Sequence, residues 1–207
     1  MKGKPEVIPL LLLKGRTTLF REYSKKAVSE LSKSLRKRDF DKLYVLDLDG
    51  VERNKPQLDI VQALSDDFSI LYEAGPRGGA NVVDLVIAGA DKVYMNTYSM
   101  SALDEIQVAL AFSENIGLKI DWNDGVQGHG DGIEGCSLSN VITAALGYGV
   151  RDFVVPVEVI GEACRASRSA GALMRAIADR PGDEGIVDSD IESLIVPLER
   201  LPEEVNK

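Results

Sequence analysis

Ala88-Gly89-Ala90-Asp91-Lys92-Val93-Tyr94-Met95 reads as a helix end, a short polar turn and the start of a buried strand. The same succession stands at Arg38-Asp39-Phe40-Asp41-Lys42-Leu43 and at Gly149-Val150-Arg151-Asp152-Phe153. From Lys42 to Lys92 is 50 residues, and from Lys92 to Asp152 is 60. Each interval has room for two βα units of about 25–30 residues. A chain that repeats such units builds either a doubly wound sheet or an eight-stranded barrel. Dividing 207 residues by the unit leaves about seven or eight copies.

Six apolar runs supply the strands: Val7–Leu13, Leu43–Leu48, Phe68–Tyr72, Lys92–Met95, Gly117–Asp121 and Asp152–Val157. They are continuous rather than alternating, as required when both faces of a parallel strand are buried. Between them the helical period returns. Ala27, Val28, Leu31 and Leu35 share one face, Pro56 precedes Leu58, Val61 and Leu64, and Val82–Ala88 forms another such stretch. Ser101 is placed to cap a helix carrying Leu103, Ile106 and Leu110, and Ser137 one carrying Val141, Ala144 and Ala145. Past Glu158 the alternation blurs. Residues 161–179 read as an Ala/Ser/Gly-rich helix and Arg180–Glu184 as a turn. Only Gly185–Val187 and Leu194–Pro197 remain as further strands. No linker divides the chain, so residues 1–207 are expected to form one domain.

Charge narrows the partners. Lys+Arg 24 against Asp+Glu 33 gives −9, which disfavours nucleic acid and anionic membrane surfaces. The apolar run at Val7–Leu13 is too short to span a membrane and lacks the pattern of an export signal. Cys136 and Cys164 are then expected to be reduced thiols of a cytoplasmic protein, without the spacing of a zinc site.

In either candidate fold, function collects at the carboxyl ends of the strands. Those ends carry Asp47-Leu48-Asp49-Gly50, Glu73, Asp121 and Glu158. Converging carboxylates can trade protons or hold a divalent cation, or they simply accept hydrogen bonds from neighbouring loop amides. Gly75-Pro76-Arg77-Gly78-Gly79 follows a strand and precedes a helix, where bare amides can cradle a phosphate. Thr97 and Ser99 would add hydroxyls and amides from the next loop. Gly125–Gly135 holds five glycines and the single histidine, His129, and reads as a flexible loop or a lid.

Four segments carry a resemblance: Val7–Gly15, Val45–Gly50, Ala88–Val93 and Ile120–Gly125. They resemble the phosphoribosylformimino-aminoimidazole-carboxamide ribotide isomerase family of histidine biosynthesis, over roughly residues 7–125. The resemblance implies a (βα)8 barrel, shortened or irregular in its C-terminal half. It also implies cofactor-free acid–base isomerisation of a phosphorylated aminoaldose. By the same resemblance Asp121 takes the catalytic position of the fifth strand. Gly75, Arg77, Gly78 and Gly79 form the phosphate turn of the third strand, and Thr97 contributes from the fourth. The carboxylate expected on the first strand is Leu12, and the basic residue after it is Phe20. The motifs of the sixth to eighth strands are absent.

These departures predict a divergent relative that does not perform the parental reaction. The leading expectation is acid–base isomerisation of a phosphorylated sugar or ribotide-like molecule, without metal or cofactor, by Asp121 with Asp47 or Glu73 as partner. One alternative is a non-catalytic barrel that binds a phosphorylated ligand. The other is a divalent-metal lyase or aldolase built on Asp47, Asp49, Glu73 and Asp121. The short C-terminal stretch predicts a barrel closed by brief, irregular strands, or an open one sealed as a homodimer.

Overall fold

Residues apolar on both faces let eight strands lie side by side and close on themselves. In the computed structural model, which describes residues 4–15, 17–18, 21–22, 25–181 and 191–202, the barrel strands are β1 (Glu6–Lys14), β2 (Lys42–Asp47), β3 (Ser69–Glu73), β4 (Lys92–Asn96), β5 (Ile116–Lys119), β6 (Asp152–Pro156), β7 (Leu173–Ile177) and β8 (Ser193–Pro197). All neighbours pair in parallel, and β8 returns to β1 in the register Glu6↔Ser193 to Leu10↔Pro197. This is a closed TIM-type barrel. No partner subunit is needed to cover an open edge, because the β8–β1 ladder removes it. A small antiparallel ribbon, Thr17–Thr18 with Arg21–Glu22, extends the end of β1.

The helices alternate with the strands: α1 (Lys25–Lys37), α2 (Leu48–Arg53), α3 (Leu58–Ser65), α4 (Val82–Ile87), α5 (Glu105–Phe112), α6 (Leu138–Tyr148) and α7 (Ile160–Ser167). Among the described residues no α-helix follows β7, and only a 3-10 turn at Leu198–Arg200 follows β8. The irregularity of the C-terminal half therefore lies in its connections. β7 and β8, five residues each, match β3, β4 and β6 in length.

Three expectations need correction. The stretch read as one helix over 161–179 is α7, a 3-10 turn and the whole of β7. Leu173-Met174-Arg175-Ala176 is good helix-forming sequence, but pairing on both sides with β6 and β8 overrides that preference. Ser101 does not cap α5, whose cap position is Asp104; its hydroxyl donates to the Arg77 carbonyl instead. Leu48 opens α2 rather than ending β2, since the Asp47 side chain accepts from Gly50 N and starts the helix there. The Ser137 cap on α6 is present, accepting from Asn140 N. Gly185–Val187, Phe20 and most of Arg180–Glu184 lie outside the described residues.

Period-two alternation sorts the strand residues. Outward-facing side chains such as Leu11, Val45, Ile70, Val93, Leu118 and Val155 join the helices in the main core. Inward-facing Ile8, Leu10, Tyr44, Leu71, Tyr94, Val154 and Ile195 form a second, smaller cluster inside the barrel. Tyr44 and Tyr94, with ring centroids 5.5 Å apart, make a floor across it. Below this floor the first residues of β4, β6 and β8 are polar. Asp152 takes a forked pair from Arg175 at 3.0 Å and 3.0 Å, a bond from Tyr94 Oη at 2.9 Å, and an ion pair with Lys92 at 3.4 Å. Arg175 also donates to Ser193 Oγ at 2.8 Å. This network lies at the amino ends of the strands, the end that stabilises such barrels.

Candidate active site at the carboxyl ends of the strands

Above the tyrosine floor, Glu73, Asn96 and Lys119 close β3, β4 and β5 facing inward, and Asp121 follows two residues after Lys119 on the same side. Glu73 is 1 % exposed. It accepts from Tyr44 Oη at 2.7 Å and from Asn96 Nδ2 at 2.8 Å, and its Oε1 lies 3.7 Å from Lys119 Nζ. The same ammonium is in direct contact with Asp121 Oδ1. The other oxygen of Asp121 accepts from Tyr98 N at 3.1 Å, and Thr97 Oγ1 lies at 3.5 Å. Asp121 N in turn donates to Thr97 Oγ1 at 2.9 Å.

Lys119 thus sits between two carboxylates. Burial works to lower its pKa, but Glu73 and Asp121 outweigh that and hold it above the ordinary lysine value. It is an ammonium at neutral pH. Burial, and then Glu73, raise the Tyr44 phenol well above its usual value, so it stays a donor. Lys119 and Tyr44 are the residues here that the sequence reading does not reach, while Asn96 closes a strand in the expected Asn96-Thr97 pair. Counting back by two from Asp121 places Lys119 inside the barrel, and that is the signal in the sequence that points to it.

The structure brings Glu73 and Asp121 together through Lys119, but not Asp47. Asp47 faces outward, fully buried between β2 and the helices. Its oxygens accept from Gly50 N at 3.1 Å, Gln57 N at 2.5 Å and Tyr72 Oη at 2.8 Å. Asp49 stays with it, taking Gln57 Nε2 at 3.1 Å and Gly15 N at 2.5 Å. The four carboxylates of the metal-lyase alternative therefore fall in two places, divided by the barrel wall. Among the described residues no group of three or more His, Cys, Asp or Glu is gathered as a metal site. Glu158 is the middle residue of the 3-10 turn Val157–Val159 after β6.

The Gly75–Gly79 turn is where it was expected, after β3, but the amides of Gly78 and Gly79 are engaged. Gly78 N donates to Asn81 Oδ1 at 3.0 Å and Gly79 N to Glu105 Oε2 at 2.7 Å. The Arg77 guanidinium turns to the carbonyls of Gly75 at 3.2 Å and Val51 at 2.5 Å. Ser99 N donates to Asn96 Oδ1 at 2.9 Å, and Thr97 is fully buried against Asp121. Packing accounts for two of the glycines. Gly75 has φ +60°, and a Cβ there would stand 2.7 Å from Val51 Cα. A Cβ on Gly79 would strike the backbone of α5 at Glu105 and Ala109.

Leu12 faces the barrel interior, half-buried on the cluster that includes Tyr44. The glycine-rich segment after Asp121 is tied down. Gln127 N bonds Asp121 O at 2.8 Å, Leu103 N bonds Asp131 O at 2.8 Å, and Ile133 is wholly buried in the main core. His129 is exposed on it. Among the described residues no helix is long and apolar enough to cross a membrane.

A family model described as histidine biosynthesis protein matches residues 11–157. The match runs on past Gly125, through α6 and β6. No curated protein matches the chain.

Proposed function

The chain belongs to the histidine biosynthesis protein family, and from that footing we propose that it is an isomerase-like enzyme acting on a small aldose- or aminoaldose-like molecule at the barrel mouth. The observation that carries this reading is Lys119, held between Glu73 and Asp121 at the carboxyl end of β5. Moving a proton next to a carbonyl needs a base at carbon and a positive donor at the oxygen that gains charge. Asp121, the more exposed of the two carboxylates, is the base. Lys119 is the donor: two of its three N–H groups face carboxylates, and the third is the one a substrate oxygen would take. Glu73, gripped by Tyr44 and Asn96, positions the ammonium without touching substrate.

Incubation with a panel of aldoses and aminoaldoses in deuterium oxide tests this. The expected result is deuterium entering the carbon beside the carbonyl, slowed about 10²-fold by Asp121→Asn. A panel that binds but never exchanges would remove the enzyme. A second reading, a barrel that binds ligand without turning it over, would then stand, and Leu12 is the observation that favours it. An alkyl group faces the mouth where the family's resemblance calls for a proton-transferring carboxylate. For the same reason the parental ribotide isomerisation is expected to fail. A kcat on that ribotide of about 1–10³ s⁻¹, the ordinary enzyme range, would contradict this.

A further inference from the structure

The inward-facing residues nearest the carboxyl ends of the strands divide the barrel mouth into two arcs. On β3, β4 and β5 they are Glu73, Asn96 and Lys119, and the arc is polar. On the other five strands they are apolar. Leu12 of β1, Leu46 of β2 and Ile177 of β7 pack on the interior cluster. The same alternation makes Pro156 and Pro197 the last inward positions of β6 and β8. Pairing sets them side by side, with Leu12 opposite Leu46 and Pro156 opposite Ile177. Lys14, beyond Leu12, belongs to the antiparallel ribbon and turns to Glu52 at 3.2 Å.

Burial changes from one layer to the next. Leu10, Tyr44, Val154 and Ile195, one layer down, are buried, whereas all five residues of the apolar arc are only half-buried. Apolar carbon that points into the barrel is thus left in contact with water at the mouth, which burial against a ligand would relieve. The wall donates nothing: its side chains are hydrocarbon, and the two prolines lack a backbone N–H. Eight strands enclose a space just wide enough for side chains or one small ligand, so neither a helix nor a second subunit enters it. In the closed order of strands β5 stands opposite β1, which sets Lys119 and Leu12 on facing walls.

We propose that Leu12, Leu46, Pro156, Ile177 and Pro197 form an apolar subsite across the mouth from Lys119 and Asp121, and that the ligand places an aryl or branched alkyl group on it. The part concerning substrate rests on the isomerase reading. It narrows that reading to aldose- or aminoaldose-like molecules with such a group at the end away from the carbonyl. The subsite itself does not depend on it.

The test titrates the intact chain, carrying labelled methyl groups, with phenylacetamide and with acetamide. Both offer a carbonyl oxygen to Lys119, and only the first has a ring for the arc. Phenylacetamide is expected to shift the methyl signals of Leu12, Leu46 and Ile177 and to bind at least about tenfold more tightly than acetamide. Leu46→Ala is expected to weaken phenylacetamide at least about tenfold and to leave acetamide unchanged. Ile177→Val, which removes a single methyl group, is expected to weaken it about fourfold, and it carries the test if Leu46→Ala does not fold. Equal affinity for the two amides would overturn the proposal. So would methyl signals of the arc that stay still, or folded variants that bind phenylacetamide as the wild type does. Failure of every aldose and aminoaldose to exchange deuterium would remove the isomerase reading and leave the subsite standing. Exchange of aldoses with no ring effect would do the reverse.

Discussion

Raising the pH from about 10 to about 11.5 is expected to strip the protein of stability at a rate that climbs toward about 4 kcal/mol per pH unit. Three tyrosines set this slope. Tyr44, Tyr72 and Tyr94 all lie inside the fold, and burial, first of all, raises each phenol well above its ordinary value. Glu73, Asp47 and Asp152 respectively push in the same direction. Each donates its hydroxyl to that carboxylate, at 2.7, 2.8 and 2.9 Å. Below the unfolded value of about 10, all three are protonated in both states and their contribution is complete. Above it, the unfolded chain releases protons that the native protein keeps. The unfolded state then binds fewer protons, and stability falls by about 1.4 kcal/mol per unit for each group. Lys119, also raised in the folded state, adds to the loss above its own ordinary value. A domain holds about 5–15 kcal/mol in all, so about 5 kcal/mol over this window brings it close to unfolding. Urea unfolding at successive pH values, followed with tyrosinate absorbance, checks this. Normal titration of these three phenols in a folded protein would sink it.

Substituting Arg175 by methionine is expected to cost about 3 kcal/mol at neutral pH. The substitution keeps most of the side chain's volume and removes the charge. Asp152 stays buried, 2 % exposed, and loses its forked partner. Breaking a buried pair from one side typically costs about 3–5 kcal/mol, because the remaining charge is left uncompensated. Lys92 and Tyr94 still face Asp152, which puts the effect at the lower end. For a chain of this length, that is a fall in Tm of about 6–12 °C. Arg175→Lys, which restores charge without the fork, is expected to recover part of the loss. An unchanged Tm in Arg175→Met would show that the network at the amino ends of the strands contributes nothing.

How much of this was legible follows from the range of each signal. Seven of the eight strands were readable, β8 among them as Leu194–Pro197, because burial on both faces leaves a continuous apolar run, which is a local property. β7 was not. Leu173–Ile177 is a strand only because β6 and β8 flank it, while Gly171, in the left-handed region at φ +61°, ends the helical turn before it.

Asp121 was legible from its place at a strand end, and Glu73 likewise. The sequence by itself therefore determined the repeating βα units, the barrel through the family resemblance, the end at which the site forms and the presence of carboxylates there, while the closure of the barrel was left to the β8–β1 ladder. Tertiary structure alone decided which of them meet. Asp47 and Glu73 both close strands, but the alternation of the pleat sends Asp47 outward to Tyr72 and Gln57 and Glu73 inward to Lys119. Lys119 and Glu73 are 46 residues apart in the chain, from position 73 to position 119, and Glu105 reaches Gly79 across 26. Such pairs form only when the closed sheet brings β3, β4 and β5 side by side. An ammonium between two carboxylates and a carboxylate on a glycine turn are properties of that closure, which no local pattern of residues records.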